Sequence, residues 1–237
     1  MRKNVTRRVR RKQKGGSKRR DIFVITLDTE SARYKTVSDS LKGAGVAFHP
    51  YPAVNGSKLN RDTLPTLGIG RALFQSRKEG SKPHNLGAIG CFLSHRNLYK
   101  DILDKPKGPD TEYIVFEDDV IIPKDFNTIL EERLKHVPHD WDVVYMSKGY
   151  PEGKNIGHGV IRLSVEPTAT KSFGTWAYII KERYVKYLHG FLEHMTDQID
   201  AQINRTFGTH KAYCFDGGVI TTQHVNSTIA DMENHIL

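Results

Sequence analysis

Cysteine is scarce in this chain of 237 residues: Cys91 and Cys214 are the only two. They lie far apart and form no CxxC pair, which argues against a disulfide or a zinc site and for two buried, inert thiols in a reducing compartment. No apolar run approaches the ~20 residues that a membrane span needs. The basic N-terminus is followed by no apolar stretch of the kind a secretory signal carries, so a cytoplasmic location is expected. Acid is missing altogether from residues 1 to 20, which hold eleven of the 36 Lys and Arg residues. The rest of the chain sets 25 basic residues against 27 acidic ones, a net of −2, so the formal charge of +9 belongs to the tail. A block of like charge interrupted by Gly15-Gly16 repels itself and is expected to be disordered, leaving 21–237 as one folded domain. The tail could be a nuclear address, could adhere to nucleic acid or anionic membrane, or could simply keep the chain in solution.

What is present is enough for one α/β domain. Hydrophobic residues make up 38% and aromatics 9%, a globular balance. "DIFVITLD" (21–28) reads as a buried parallel strand and "SARYKTVSDSLKGAG" (31–45) as a helix opened by a Ser and closed by glycines. "VAFHPYPAV" (46–54) returns to strand character, which makes a βαβ opening and predicts a sheet with helices on its faces. Residues 57–84 are polar and read as a connection. "NLGAIGCFLSHRNLYKDIL" (85–103) predicts a helix with Asn85 as its cap and a broad apolar face. Strands are predicted at 113–116, 142–146, near 159–165, 174–180, 211–215 and 218–222. Helices are predicted over 125–136, 181–193 and 197–207. The Gly-rich stretch 148–159 lacks the GxGxxG or GKS/T order that cradles phosphates and reads as a surface loop.

The chemistry concentrates in "EYIVFEDDV". Tyr113 to Phe116 has no polar alternation and should lie inside the sheet, and ligands of open α/β sheets bind beyond the carboxyl ends of such strands. Glu117, Asp118 and Asp119 stand there. If extended geometry persists, Glu117 and Asp119 point to one side and Asp118 to the other. Two carboxylates on one side suit a hard divalent cation, Mn²⁺ or Mg²⁺, which would offset the crowded charge. An exposed acidic turn is the plain alternative, and nucleases, sugar nucleotidyltransferases and phosphatases could all carry the same three residues.

"FVITLDTESAR", "YPAVNG", "LGAIGCFLSH", "FEDDV" and "GTWAYII" occur together in the order and spacing of glycosyltransferase family 25, which the chain resembles over roughly residues 21–229. That family includes bacterial lipopolysaccharide galactosyltransferases and the domains that galactosylate hydroxylysine in collagen. Thr26 departs from the usual Asn, and Ser227-Thr228-Ile229 from a common Ser-Asp-Ile. The resemblance implies a GT-A-like fold, a mixed central sheet flanked by helices. It also implies metal-dependent, inverting transfer of a hexose, galactose or glucose, from a UDP-sugar to a hydroxyl of a glycan, a lipid-linked sugar or a protein. Glu117 and Asp119 would hold Mn²⁺ (or Mg²⁺) against the diphosphate. Asp28, Arg33, Ser94, His95 and Asp118 would line the donor site. Apart from the resemblance, His224 in "TTQHVNS" could be a third ligand, since imidazole is acceptable to Mn²⁺, with a plain surface histidine as the alternative.

An inverting transfer needs a general base. "EHMTDQIDAQIN" offers Glu193, Asp197 and Asp200, which on one continuous helix would share a face. An Asp with an apolar residue three places on matches the family at Asp200 and Ile203, so Asp200, then Asp197, is the expected base. Helix capping is the structural alternative for both. Three rival functions stand beside this reading, one of them a degenerate transferase kept as a binding module. A sugar nucleotidyltransferase or other phosphoryl-transfer enzyme would carry a Gly-rich loop after its first strand, where "LDTESAR" stands. A nucleic-acid-binding protein would continue the tail's basic charge onto the folded surface, which instead nets −2.

Overall fold

The computed structural model describes residues 20–70, 86–149, 151–165 and 174–223. Its strands are β1 (Asp21–Thr26), β2 (His49–Pro52), β3 (Glu112–Glu117), β4 (Val120–Ile121), β5 (Val143–Tyr145), β6 (Gly153–Asn155), β7 (Val160–Leu163), β8 (Ala177–Lys181), β9 (Ala212–Phe215) and β10 (Thr221–Thr222). Its α-helices are α1 (Ala32–Gly43), α2 (Leu86–Leu103), α3 (Phe126–Leu134), α4 (Glu182–Phe191) and α5 (Ile199–Asn204). Eight strands form one sheet in the order β2-β1-β3-β8-β5-β9-β7-β6, and β10 pairs with β4 beside it. β2, β1 and β3 run parallel, as do β5 and β9. β8 enters antiparallel between the two groups, so the sheet is mixed, as expected.

Each strand of the sheet's middle buries both faces, and the alternation sorts its side chains into two cores. Tyr113 and Val115 of β3 pack with Phe92 and Leu98 of α2, Leu188 of α4 and Ile203 of α5. Ile114 and Phe116 pack on the other face with Val37 and Leu41 of α1 and Phe126 and Leu130 of α3. Period two along the strand thus assigns Glu117, two residues past Val115, to the side of α2. β3 itself lies between β1 and β8, inside the sheet, as its unbroken apolar run requires.

Several boundaries differ from the sequence reading. α1 begins where expected, with the Ser31 hydroxyl capping the Tyr34 amide. The stretch read as a surface loop contains β6, which pairs antiparallel with β7; its glycines and exposed side chains conceal an edge strand. The connection after β2 is built largely of 3₁₀ turns at Gly56–Lys58 and Arg61–Leu67. Arg20, counted with the tail, is anchored by its Nε to Glu112 at 2.7 Å and by a second nitrogen to Glu131. The remainder of the tail, the Asn85 cap and residues 224–237 lie outside the described residues. No described helix is long and apolar enough to cross a membrane.

α2 approaches the loop after β2 so closely that glycine is required at the crossing. A Cβ on Gly90 would stand 2.5 Å from the Val54 carbonyl oxygen and 2.9 Å from the Gly56 amide. The Ser94 hydroxyl fastens the same crossing, accepting from the Val54 amide (2.8 Å) and donating to the Gly90 carbonyl (2.7 Å). Gly90→Ala should therefore cost roughly 1–3 kcal/mol in urea unfolding, although alanine is the better helix former. Gly43→Ala, at the end of α1 with no atom within 4 Å of the added carbon, should be neutral or stabilising by up to ~1 kcal/mol.

Candidate active site

The carboxyl ends of β1 and β3, the loop 53–56 and the first half of α2 enclose a small cleft that opens to solvent. Its walls include Thr26, Arg33, Cys91, His95, Glu117 and Asp118. The parallel register sets Ile25 beside Glu117, so both strands end at the same level and deliver their polar residues to one place.

Glu117 is fixed from two sides. The Thr175 hydroxyl donates to its Oε1 at 2.8 Å, and His95 Nε2 lies 3.2 Å from the same oxygen. His95 Nδ1 is 2.8 Å from the Tyr178 hydroxyl, which is 2.8 Å from the Tyr99 hydroxyl. The imidazole is wholly buried. Burial works against charge on Glu117, but the bonds from His95 and Thr175 prevail and hold its carboxylate below the ordinary range.

Strand geometry stops at Glu117. Asp118 and Asp119 form a turn into β4, so their side chains are not sorted to opposite faces, which corrects the alternation expected from the sequence. Arg33 meets both, at 2.9 Å from Asp118 and 3.4 Å from Asp119. The Thr26 hydroxyl donates to Asp118 Oδ2 at 2.6 Å. Burial outweighs these partners and raises the Asp118 carboxyl. For Asp119, burial and the charge of Glu117 push the pKa up to about 6. Among the described residues its Oδ1 is buried without a hydrogen-bond partner, and so is Arg33 Nε. A buried acidic oxygen with no partner among the described residues, in a run of three carboxylates, is the kind of donor that a hard divalent cation would take, with Glu117 and Asp119 as the residues to hold it.

The other expected residues fall into two groups. Asp200 is brought toward this centre: its Oδ2 accepts from the Gly174 amide at 2.9 Å, and the next residue, Thr175, holds Glu117. Gly174-Thr175 is thus a two-residue link from Asp200 to Glu117. Ser94 and His95 reach the cleft wall, Ser94 with its hydroxyl already bound in the helix–loop crossing. Asp28 does not arrive: its Oδ1 caps the Glu30 amide in an exposed turn. Asp197 is drawn to Arg205 and the Gln198 amide. α5 begins only at Ile199, so Glu193, Asp197 and Asp200 share no continuous helix, and the common face expected for them does not exist. His224 lies outside the described residues. Its neighbour Gln223 donates its side-chain amide to the Asp118 and Val120 carbonyls at 3.2 and 3.3 Å.

Three contributors were not singled out from the sequence. Thr175 and Tyr178 sit in "GTWAYII", where register against β3 could have found them. Lys148 lies in the stretch read as a surface loop but is buried, its Nζ 4.4 Å from the centre of the Tyr145 ring and 3.4 Å from the Gly174 carbonyl. Burial lowers its pKa to about 8 against the pull of Asp200.

Comparison with known proteins agrees with the resemblance. The model of "Glycosyltransferase family 25 (LPS biosynthesis protein)" matches residues 19–203. Procollagen galactosyltransferase 1 of Danio rerio is 28% identical over 69% of this chain and 27% of its own length. For procollagen galactosyltransferase 2 of Homo sapiens the figures are 26%, 68% and 26%. A Bos taurus protein named "Probable inactive glycosyltransferase 25 family member 3" is 27% identical over 68% of this chain and 27% of its own. The chain spans about a quarter of the length of these relatives. Among solved structures, 4-diphosphocytidyl-2C-methyl-D-erythritol synthase is similar at a TM-score of 0.41 and 13% identity, over 91% of this chain and 97% of that one. That likeness is too loose to bear on function.

The raised Asp119 pKa makes a stability prediction with a definite sign. The folded state holds this proton more tightly than the unfolded chain does, whose Asp titrates near pH 4. The resulting stabilisation is full below about pH 4 and lost as pH rises through about 6. Asp119→Asn should therefore stabilise the metal-free protein at pH 7, on the order of 1 kcal/mol, with the gain fading toward pH 4. Urea unfolding in EDTA at several pH values reads this directly. A gain that grows as pH falls contradicts the assignment.

Proposed function

The chain belongs to glycosyltransferase family 25, and from that premise we propose that it transfers a hexose from a UDP-sugar to a hydroxyl acceptor, with inversion and with a divalent cation. Identity to relatives cannot separate an active chain from an inactive one, because a galactosyltransferase and a protein named inactive match it at 28% and 27%. The observation that carries the reading is the buried Asp119 oxygen, unpartnered among the described residues, on a carboxyl that the charge of Glu117 helps to raise. An enzyme that had given up its cation would have little reason to keep a raised aspartate there.

Glu117 and Asp119 would hold Mn²⁺ or Mg²⁺, His224 being a further candidate. When bound, the ion supplies Lewis acidity toward the leaving diphosphate. Asp118 does not need to touch donor in this scheme: through Thr26 and Arg33 it orients the guanidinium, whose planar fork suits a diphosphate. Loop 53–56 and the start of α2 wall the cleft for the nucleoside. Asp200 takes the acceptor hydroxyl's proton as the new glycosidic bond forms. Lys148, close to Asp200 and the Gly174 carbonyl, keeps a positive charge near the acceptor side. Galactose and glucose both suit this chemistry as the donor sugar.

Asp200→Asn is an informative variant, since an amide oxygen can still accept from Gly174. It should lower kcat by ~10²-fold or more while the donor KM stays within a few-fold. Glu117→Gln should abolish Mn²⁺-supported turnover of UDP-galactose or UDP-glucose, and exhaustive metal stripping should do the same to the parent. Undiminished turnover in EDTA would remove the cation from the account. A near-normal Asp200→Asn rate with a lower melting temperature would make Asp200 an anchor for Gly174 and nothing more.

A further inference from the structure

A second donor set lies behind the carboxylates, and it is chemically unlike them. Cys91 and His95 stand one turn apart on α2, so their side chains leave the same face of the helix. Together with a Glu117 oxygen, the sulfur and an imidazole nitrogen lie within 4.8 Å of one another. Ligand atoms around a tetrahedral ion with bonds of about 2.0–2.3 Å are roughly 3.3–3.8 Å apart, so side-chain shifts on the order of 1 Å would close the set. His95 Nε2 already sits 3.2 Å from Glu117.

We propose that Cys91, His95 and Glu117 form a second cation site, which takes a borderline-soft divalent ion such as Zn²⁺ in preference to Mn²⁺ or Mg²⁺. A thiolate and an imidazole favour such an ion, while the hard cations prefer oxygen. The surroundings are those of a ligating histidine: its other nitrogen faces the Tyr178 hydroxyl, itself braced by Tyr99, which fixes the ring. The fourth position opens into the cleft, whose wall all three residues share, so water or a bound molecule can complete the tetrahedron. Binding breaks the Cys91 S–H bond, forms a sulfur–metal bond and releases one proton to solvent. Glu117 cannot serve both sites fully, so a soft ion would block transfer. That consequence rests on the proposed donor-metal role of Glu117, whereas the binding itself does not.

Cobalt reports the site without any sugar donor. The full chain, reduced and stripped of metal, is titrated with Co²⁺ and followed by absorption. A thiolate-to-cobalt charge-transfer band should rise to saturation at equimolar metal and be bleached by Zn²⁺, the tighter binder. It should be absent from Cys91→Ser and retained in Cys214→Ser, with circular dichroism confirming that both variants fold. Glu117→Gln should bind cobalt at least about tenfold more weakly. No sulfur-to-cobalt band, a band that follows Cys214, or unchanged affinity in Glu117→Gln would each overturn the proposal. If Cys91→Ser fails to fold, the Cys214→Ser and Glu117→Gln results still decide it.

Discussion

Crowding of three carboxylates at the end of a buried strand is the constraint around which this molecule is arranged. Each is offset differently. Glu117 is held ionised by His95 and Thr175. Asp118 is tied to Thr26 and Arg33. Asp119 is left with one oxygen unpartnered and a pKa pushed up to about 6. A cluster meant only for stability would have satisfied both oxygens of Asp119, because an unpaired buried acidic oxygen costs free energy. The partners come from β1, α1, α2 and the approach to β8, so the charge cluster also dictates which elements must meet.

Much of the fold was legible because the buried strands are apolar on both faces and the long helices have broad apolar sides. β1, β3, α1 and α2 fall within a residue or two of their predicted bounds for this reason. β4 was not seen, since two residues leave no periodicity to read, and the strand predicted at 218–222 narrows to the two residues of β10. β6 is three exposed residues with a glycine, and nothing local marks it as a strand. Only pairing with β7 makes it one.

At the site, the apolar run put Glu117 at the end of a buried strand, but the alternation expected beyond it carried the strand too far. The turn at Asp118-Asp119 depends on Arg33 and on the β4–β10 pairing, which are distant in the chain. Glu193, Asp197 and Asp200 looked like one helical face; the chain instead bends before Ile199, and Asp197 turns outward to Arg205. Cys91 read as an inert thiol because no second cysteine stands near it. A metal pair of Cys and His at i, i+4 is visible in "CFLSH" once the helix is granted, but its third member comes from a strand 22 residues on. Lys148 was hidden by its glycine-rich neighbours, which do not announce burial.

Family membership places the chain in glycosyltransferase family 25, yet a relative named a galactosyltransferase and one named probably inactive match it about equally. The decision therefore falls to the physical state of the carboxylates. If the free Asp119 oxygen is kept for a cation shared with a diphosphate, metal and UDP must bind cooperatively. The direct measurement is calorimetric titration of UDP into metal-free protein with and without Mn²⁺. The account predicts at least tenfold tighter UDP binding with Mn²⁺, about 1.4 kcal/mol or more of coupling, reduced to near nothing in Asp119→Asn. UDP binding that is equally tight in the presence and absence of Mn²⁺ would contradict it.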